Sequence, residues 1–176
     1  MDKYEILKSY WGYSEFRGAQ ETVIDNIING KDVLCVMPTG AGKSVCYQVP
    51  SLMLGGVTIV ISPLISLMID QVKSLVNMGI KAAYLNSNLT QRQLNVAMAR
   101  ASEGAYKIIY VAPEKLLTNS FINLCRSIDI SMVAIDEAHC ISQWGQDFRP
   151  DYLKIVDFIE KLNKRPIISA FTATAT

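Results

Sequence analysis

The chain has 176 residues, half of them apolar, which suits one domain with a sizeable buried core. Charged residues make up 19% and leave a formal net charge of +1, which excludes a disordered chain and a broadly basic nucleic-acid surface. Four cysteines without a C-x-x-C pair, beside a single histidine, argue against a structural zinc site or a disulfide framework.

The first apolar run, Val33–Met37, reads as a strand, with Cys35 as a small buried hydrophobe. It leads into Met37-Pro38-Thr39-Gly40-Ala41-Gly42-Lys43-Ser44, after which a helical pattern starts near Lys43. A strand, a glycine-rich turn and a helix in that order make a phosphate loop. Backbone amides from Thr39 to Gly42 would face phosphate oxygens, and the helix N-terminus would add its dipole. Lys43 would reach the β- and γ-phosphates, and the Ser44 hydroxyl would ligate magnesium. The strict G-x-x-x-x-G-K-[ST] pattern fails because Met37 stands at its first glycine, whereas the shorter x-x-G-x-G-K-[ST] form is met.

Further candidate strands follow at Val57–Ser62, Ala82–Leu85, Lys107–Val111, Met132–Ile135 and Ile167–Phe171, each apolar on both faces. Ser62-Pro63 offers a helix N-cap and a first-turn proline. The helix carries Leu64, Leu67, Met68, Val72, Leu75 and Val76 at helical spacing and stops at Gly79. Thr90 with Gln93 reads as a capping box for a helix running towards Ser102. The alternation predicts an α/β fold: a doubly wound, mostly parallel sheet with helices on both faces, in one domain over residues 1–176.

The run Ser131–Ile135 leads straight into Asp136-Glu137-Ala138-His139, placing two carboxylates at the C-terminal end of a buried strand. Asp136 is suited to hold magnesium and Glu137 to orient and deprotonate an attacking water. The plainer alternative is an acidic helix N-terminus; a phosphate loop about ninety residues upstream weighs against it. No signal-peptide pattern or membrane-length apolar run is visible, so a cytoplasmic, nucleoid-associated protein is expected in a bacterium and a nuclear one in a eukaryote. The ending at Thr172-Ala-Thr-Ala-Thr176, directly after a core strand, is expected of an excised piece of a longer protein.

Asp136-Glu137-Ala138-His139, the short phosphate loop and Thr172-Ala-Thr together resemble the first RecA-like lobe of superfamily 2 helicases. The finer resemblance is to RecQ-type DNA helicases, from Tyr10 to Thr176. Its most discriminating stretch is Ala138–Tyr152, similar to that family's aromatic-rich loop. Ser62-Pro-Leu-Ile-Ser-Leu-Met68 and Tyr110-Val-Ala-Pro-Glu114 match further family segments.

The resemblance implies ATP and Mg2+ as cofactors, single-stranded or duplex DNA as partner, and 3′-to-5′ unwinding driven by ATP hydrolysis. Tyr13, Arg17 and Gln20 would stack on adenine and read its edge, against a plainer role in packing a helix start. His139 would bridge the hydrolytic site to Thr172 and Thr174. Trp144, Phe148 and Arg149 would face single-stranded DNA, unless Trp144 and Phe148 instead tether the loop to the lobe. The helix start at Ser62 would offer amides to a DNA phosphate.

Three positions depart from the family: Gly18 for a usual proline, Gln146 for a usual histidine, and Ala112 where some relatives carry a hydroxyl. The family's motor also needs a second RecA-like lobe with an arginine finger, worth roughly a thousandfold or more in phosphoryl transfer. The fragment alone is therefore expected to bind ATP weakly and turn it over poorly. An RNA-directed superfamily 2 ATPase and a non-catalytic nucleotide- and DNA-binding module are the alternatives.

Overall fold

The computed structural model describes residues 1–38, 40, 42–142 and 147–173. Six strands, β1 (Val33–Val36), β2 (Val57–Ile61), β3 (Ala82–Leu85), β4 (Ile108–Val111), β5 (Ile130–Ile135) and β6 (Ile167–Thr172), form one sheet. Its order is β1-β6-β5-β2-β4-β3 and every pairing is parallel. Each strand predicted from the sequence is present within two residues of its expected ends. After β1 the chain crosses over β6 and β5 to reach β2, runs on to β3 at the far edge and returns through β4, β5 and β6, so the segments that follow these parallel strands leave from one end of the sheet.

Helices α1 (Lys3–Ile6), α2 (Gln20–Ile28), α3 (Lys43–Met53), α4 (Ile65–Asn77), α5 (Gln91–Ser102), α6 (Asn119–Ser127) and α7 (Lys154–Glu160) complete the described framework. One face of the sheet packs against Val23 and Ile27 of α2, Cys46 and Tyr47 of α3, and Met68, Val72 and Leu75 of α4. The other meets Phe121 and Leu124 of α6 and Ile155 and Phe158 of α7. A smaller cluster of Ile6, Ile24 and Val49 ties α1 and α2 to α3, which fixes the N-terminal segment beside the phosphate loop. Burying each such side chain contributes about 1.5–3 kcal/mol, so these contacts set the framework on which the loops stand.

Local signals explain two of the helix ends. Thr90 and Gln93 form the reciprocal capping box at the start of α5. Gly79 takes φ +90 just past α4, the left-handed stop expected of glycine. The start of α4 differs from expectation. Its N-cap is Leu64, two residues beyond Ser62, and the Ser62 Oγ accepts from the Leu64 N–H at 3.4 Å in the turn before the helix. A second difference concerns β1, which lies at the sheet edge: Leu34 is 70% exposed and Val36 50%, so helices cover only its Cys35 face.

Candidate active site

The phosphate loop leaves β1 and enters α3 at Lys43, where the sequence predicted the helix to begin. Gly42 is the N-cap residue, at φ +79, and no side chain caps the helix. The first-turn amides of α3 therefore present an uncapped, positively polarised end, suited to phosphate oxygens. Gly42 is glycine for a second reason. A Cβ there would stand 2.2 Å from Gln20 Nε2 and 3.1 Å from Arg17 Nη2, so the segment carrying Arg17 and Gln20 lies directly against the loop backbone. Thr39 and Ala41 lie outside the described residues.

Gln20, the first residue of α2, is 4% exposed. Its Nε2 donates to the Gly42 carbonyl at 3.0 Å and its Oε1 accepts from the Arg17 N–H at 2.8 Å. Each end of the amide keeps one further hydrogen-bonding position, the donor–acceptor pair that an adenine edge requires. A small cleft of about 150 Å³ opens here between Leu7, Tyr13, Glu15, Arg17, Gln20 and Val45, with the Tyr13 ring 63% exposed at its mouth. Gly18 adopts φ +51, a conformation closed to the proline expected by resemblance, so this segment turns in a way that proline would forbid.

Opposite the loop, β5 delivers Asp136 and Glu137. The Asp136 amide continues the sheet ladder to the Ile61 carbonyl at 2.9 Å, which places the carboxylate at the strand's end. Glu137 sits at φ +54, the only positive φ outside glycine among the described residues. This left-handed step costs about 1–2 kcal/mol for an L residue and is held by the Asp136 Oδ1, which accepts the Glu137 N–H at 2.9 Å. It turns the Glu137 side chain back towards the loop.

Lys43 Nζ consequently lies 3.0 Å from Asp136 Oδ1 and 3.5 Å from Glu137 Oε1. Burial works against the Lys43 charge, but the two carboxylates outweigh it and hold its pKa above the ordinary lysine value. His139 lies one turn on, its Nε2 3.5 Å from Glu137 Oε2 and its Nδ1 2.9 Å from Thr172 Oγ1 at the end of β6. The expected bridge from His139 to Thr172 is thus present, whereas Thr174 lies outside the described residues.

Tyr152, which the sequence left without a role, supports the pair from below: its buried hydroxyl donates to the Asp136 carbonyl at 2.7 Å. Burial pushes this phenol far above the usual tyrosine range, so it remains a protonated donor.

Among the described residues Asp136 and Glu137 supply the carboxylate oxygens paired with Lys43, and Ser44, next to it in sequence, lines a neighbouring cleft with Trp11, Gln48 and Gln71. No group of three or more His, Cys, Asp or Glu side chains that could hold a metal occurs among the described residues. Few, hard oxygen ligands fit magnesium, which keeps waters and shares phosphate oxygens instead of filling an all-protein cage.

A second cleft, of about 440 Å³, lies at the same end of the sheet between Pro63, Pro113, Glu114, Asp147, Phe148, Arg149, Pro150 and Asp151. The segments after β2, β4 and β5 build it together. Phe148 is half-buried and Arg149 is exposed, and the Arg149 amide donates to the Cys140 carbonyl at 3.0 Å, which ties this rim to the segment after Glu137. Asp147 Oδ2 lies 3.6 Å from His139 Nε2, a link from cleft to carboxylates that no residue pattern foretells. Ser62 is 2% exposed, so Pro63 forms the wall at this point. Trp144 and Gln146 lie outside the described residues.

No helix among the described residues is long and apolar enough to cross a membrane. The DEAD/DEAH box helicase family pattern matches residues 17–176. The chain is 50% identical over 172 residues to the ATP-dependent DNA helicase RecQ of Bacillus subtilis (strain 168), covering 97% of this chain and 29% of that protein. It is 51% identical over 170 residues to the RecQ helicase of Haemophilus influenzae, again over 97% of this chain and 27% of the relative. The chain thus spans under a third of the length of these relatives.

Among solved structures, a hypothetical ATP-dependent RNA helicase from Sulfolobus tokodaii matches with TM-score 0.73 at 25% identity, over 98% of this chain and 50% of that one. The helicase Lhr of Mycobacterium smegmatis, bound to ssDNA and AMP-PNP, shares the fold with TM-score 0.77 at 17% identity, over 97% of this chain and 24% of that one. With a phosphate loop facing an Asp-Glu-Ala-His strand end, and a family pattern running over nearly its whole length, this chain belongs to the DEAD/DEAH box helicases.

Proposed function

We propose that the chain is the ATP-binding lobe of an ATP-dependent 3′-to-5′ DNA helicase that couples hydrolysis to translocation and unwinding. The observation that carries this reading is the convergence of Lys43 on Asp136 and Glu137, at 3.0 and 3.5 Å, from motifs about ninety residues apart. Lys43 and the amides of Gly40 to Ser44 hold the triphosphate, and Gln20 with Tyr13 and Arg17 selects adenine. Ser44 and Asp136 hold Mg2+, which neutralises phosphate charge when bound. Glu137 orients the water that attacks the γ-phosphate, and its left-handed backbone aims the carboxylate at the loop.

The cleft between Pro63 and Phe148 is the DNA side, with Arg149 on phosphate and the aromatic rings of the loop on bases. A near-neutral chain suits this mode, because local groups and not a basic field hold the strand. A second RecA-like lobe completes the hydrolytic site with an arginine finger.

Equilibrium titration of the chain with a fluorescent ATP analogue and Mg2+ tests the binding half. Lys43→Ala is expected to weaken binding at least tenfold while leaving the circular dichroism spectrum unchanged. Unaltered affinity refutes the assignment. In a longer protein carrying this lobe, DNA is expected to stimulate turnover more than RNA; the reverse order would favour an RNA-directed ATPase.

A further inference from the structure

Between α3, α4 and β4 lies a polar cluster, buried except for the half-buried Gln71, that none of the roles above uses. Gln48 on α3 is 3% exposed, and its Nε2 donates to Gln71 Oε1 of α4 at 2.8 Å and to Tyr110 Oη of β4 at 2.9 Å. Tyr110, 1% exposed, is in turn 2.9 Å, hydroxyl to hydroxyl, from the equally buried Tyr47 of α3. The Tyr47 ring packs on Phe171 of β6, centroids 5.5 Å apart, next to the Thr172 that meets His139. Burial pushes both phenols well above their usual range, so they stay neutral hydroxyls.

Such a cluster is an unusual way to fill a core. Aliphatic side chains of similar volume would hold the same helices without the cost of desolvating the Gln48 amide and two phenols, while Gln71 is half-buried at the edge of the cluster. Hydrogen bonds differ from aliphatic packing in fixing register: Gln48 meets both partners in one relative placement of α3, α4 and β4 only. Those three elements begin or end at the sites described above. Helix α3 starts at Lys43 in the phosphate loop, and Gln48 lies about 7.5 Å along it. Helix α4 follows Pro63 on one wall of the larger cleft, and β4 runs into Pro113 and Glu114 on the other.

We propose that Gln71 and Tyr110 are positioning residues, through which the phosphate-loop helix sets the placement of Pro63, Pro113 and Glu114 around the larger cleft. Nucleotide on α3 then changes the affinity of that cleft for a nucleic-acid strand, and by linkage the strand changes nucleotide affinity equally. This rests on the reading of the phosphate loop and the larger cleft given under Proposed function.

The test is a coupling measurement on the chain 1–176, using a slowly hydrolysed ATP analogue with Mg2+ and a fluorescent oligo-dT strand. Each Kd is measured with and without the other ligand. In the unaltered chain the two ligands are expected to change each other's Kd about fivefold or more. Gln71→Leu and Tyr110→Phe are expected to leave each separate Kd within about twofold and to bring the coupling factor to one. Gln71→Glu keeps an acceptor facing Gln48 and is expected to retain the coupling.

The inference is overturned if Gln71→Leu keeps the factor, or if Gln71→Glu loses as much as Gln71→Leu. It is overturned equally if both separate affinities fall together with the melting temperature, which marks simple structural support. If Tyr110→Phe does not fold, the two Gln71 variants decide alone. Two ligands that bind the unaltered chain without coupling refute this inference and leave the site reading standing, whereas failure of the analogue to bind at all refutes the site reading and this inference with it.

Discussion

Gly42→Ala separates two demands that the phosphate loop places on one residue. The first is conformational: φ +79 costs an L residue about 1–2 kcal/mol. The second is steric. The new Cβ would stand 2.2 Å from Gln20 Nε2, so the amide must retreat by roughly an ångström and release the Gly42 carbonyl. Gln20 is buried, and an orphaned buried N–H costs about 1–3 kcal/mol. Together these give a loss of about 2–5 kcal/mol, or roughly 5–15 °C in melting temperature for a chain of this size.

Gly40→Ala supplies the control, because Gly40 has φ +84 but a Cβ there meets nothing within 4 Å. It is expected to cost only the backbone part, about 1–2 kcal/mol. Urea denaturation of both variants, and of Gly42→Ala combined with Gln20→Ala, reads the difference. The double variant should recover about 1–3 kcal/mol relative to additivity. Equal losses at Gly40 and Gly42, or additive behaviour with Gln20→Ala, would refute the claim that Gln20 closes on the loop.

Tyr152→Phe removes the hydroxyl that donates to the Asp136 carbonyl and leaves that buried oxygen short of a partner; a loss of about 1–2 kcal/mol in urea titration is expected, and no loss would show that the phenol does not hold the strand end. Asp32 joins the entrances of β1 and β6 by accepting from both Arg165 terminal nitrogens, at 3.1 and 2.6 Å, and from the Ile168 amide at 2.9 Å. The Arg165 guanidinium holds this carboxyl below its ordinary pKa, so its stabilisation is present above the unfolded value and lost as pH falls through the folded one. Asp32→Asn should therefore melt lower than the unaltered chain at pH 7, and the gap should close in acid; a gap that persists below the carboxylate range would contradict the assignment.

The fold was legible because its signals are local. Strand and helix alternate in apolar period, Thr90 and Gln93 state one helix start, and Gly79 states one helix end, all within a few residues of chain. The helix after β2 was misplaced by two residues because Ser62-Pro63 fits an N-cap equally well one half-turn early, and only the fold decides that Ser62 is buried. At the site, Lys43, Asp136 and Glu137 were legible as residue types at strand ends. The left-handed Glu137 was not, since nothing in Asp-Glu-Ala-His marks a positive φ. Neither was the Gln48–Gln71–Tyr110 cluster, whose members lie 23 and 62 residues from Gln48; Gln48 and Tyr110 sit singly in apolar runs and Gln71 sits beside charged Asp70 on a mixed helix face. The bare outer face of β1 escaped notice for a related reason. Val-Leu-Cys-Val reads as a strand buried on both sides, and hydropathy does not say which strand stands at the edge.

That edge has a practical consequence for the isolated chain. The exposed Leu34 and Val36 side chains stand beside a row of backbone N–H and C=O groups that no seventh described strand engages, a template for intermolecular strand addition. Solubility is thereby governed by a different part of the molecule from stability. Substitutions that strengthen the core would raise the melting temperature and leave aggregation unchanged, whereas Leu34→Lys would slow concentration-dependent aggregation at little cost to folding.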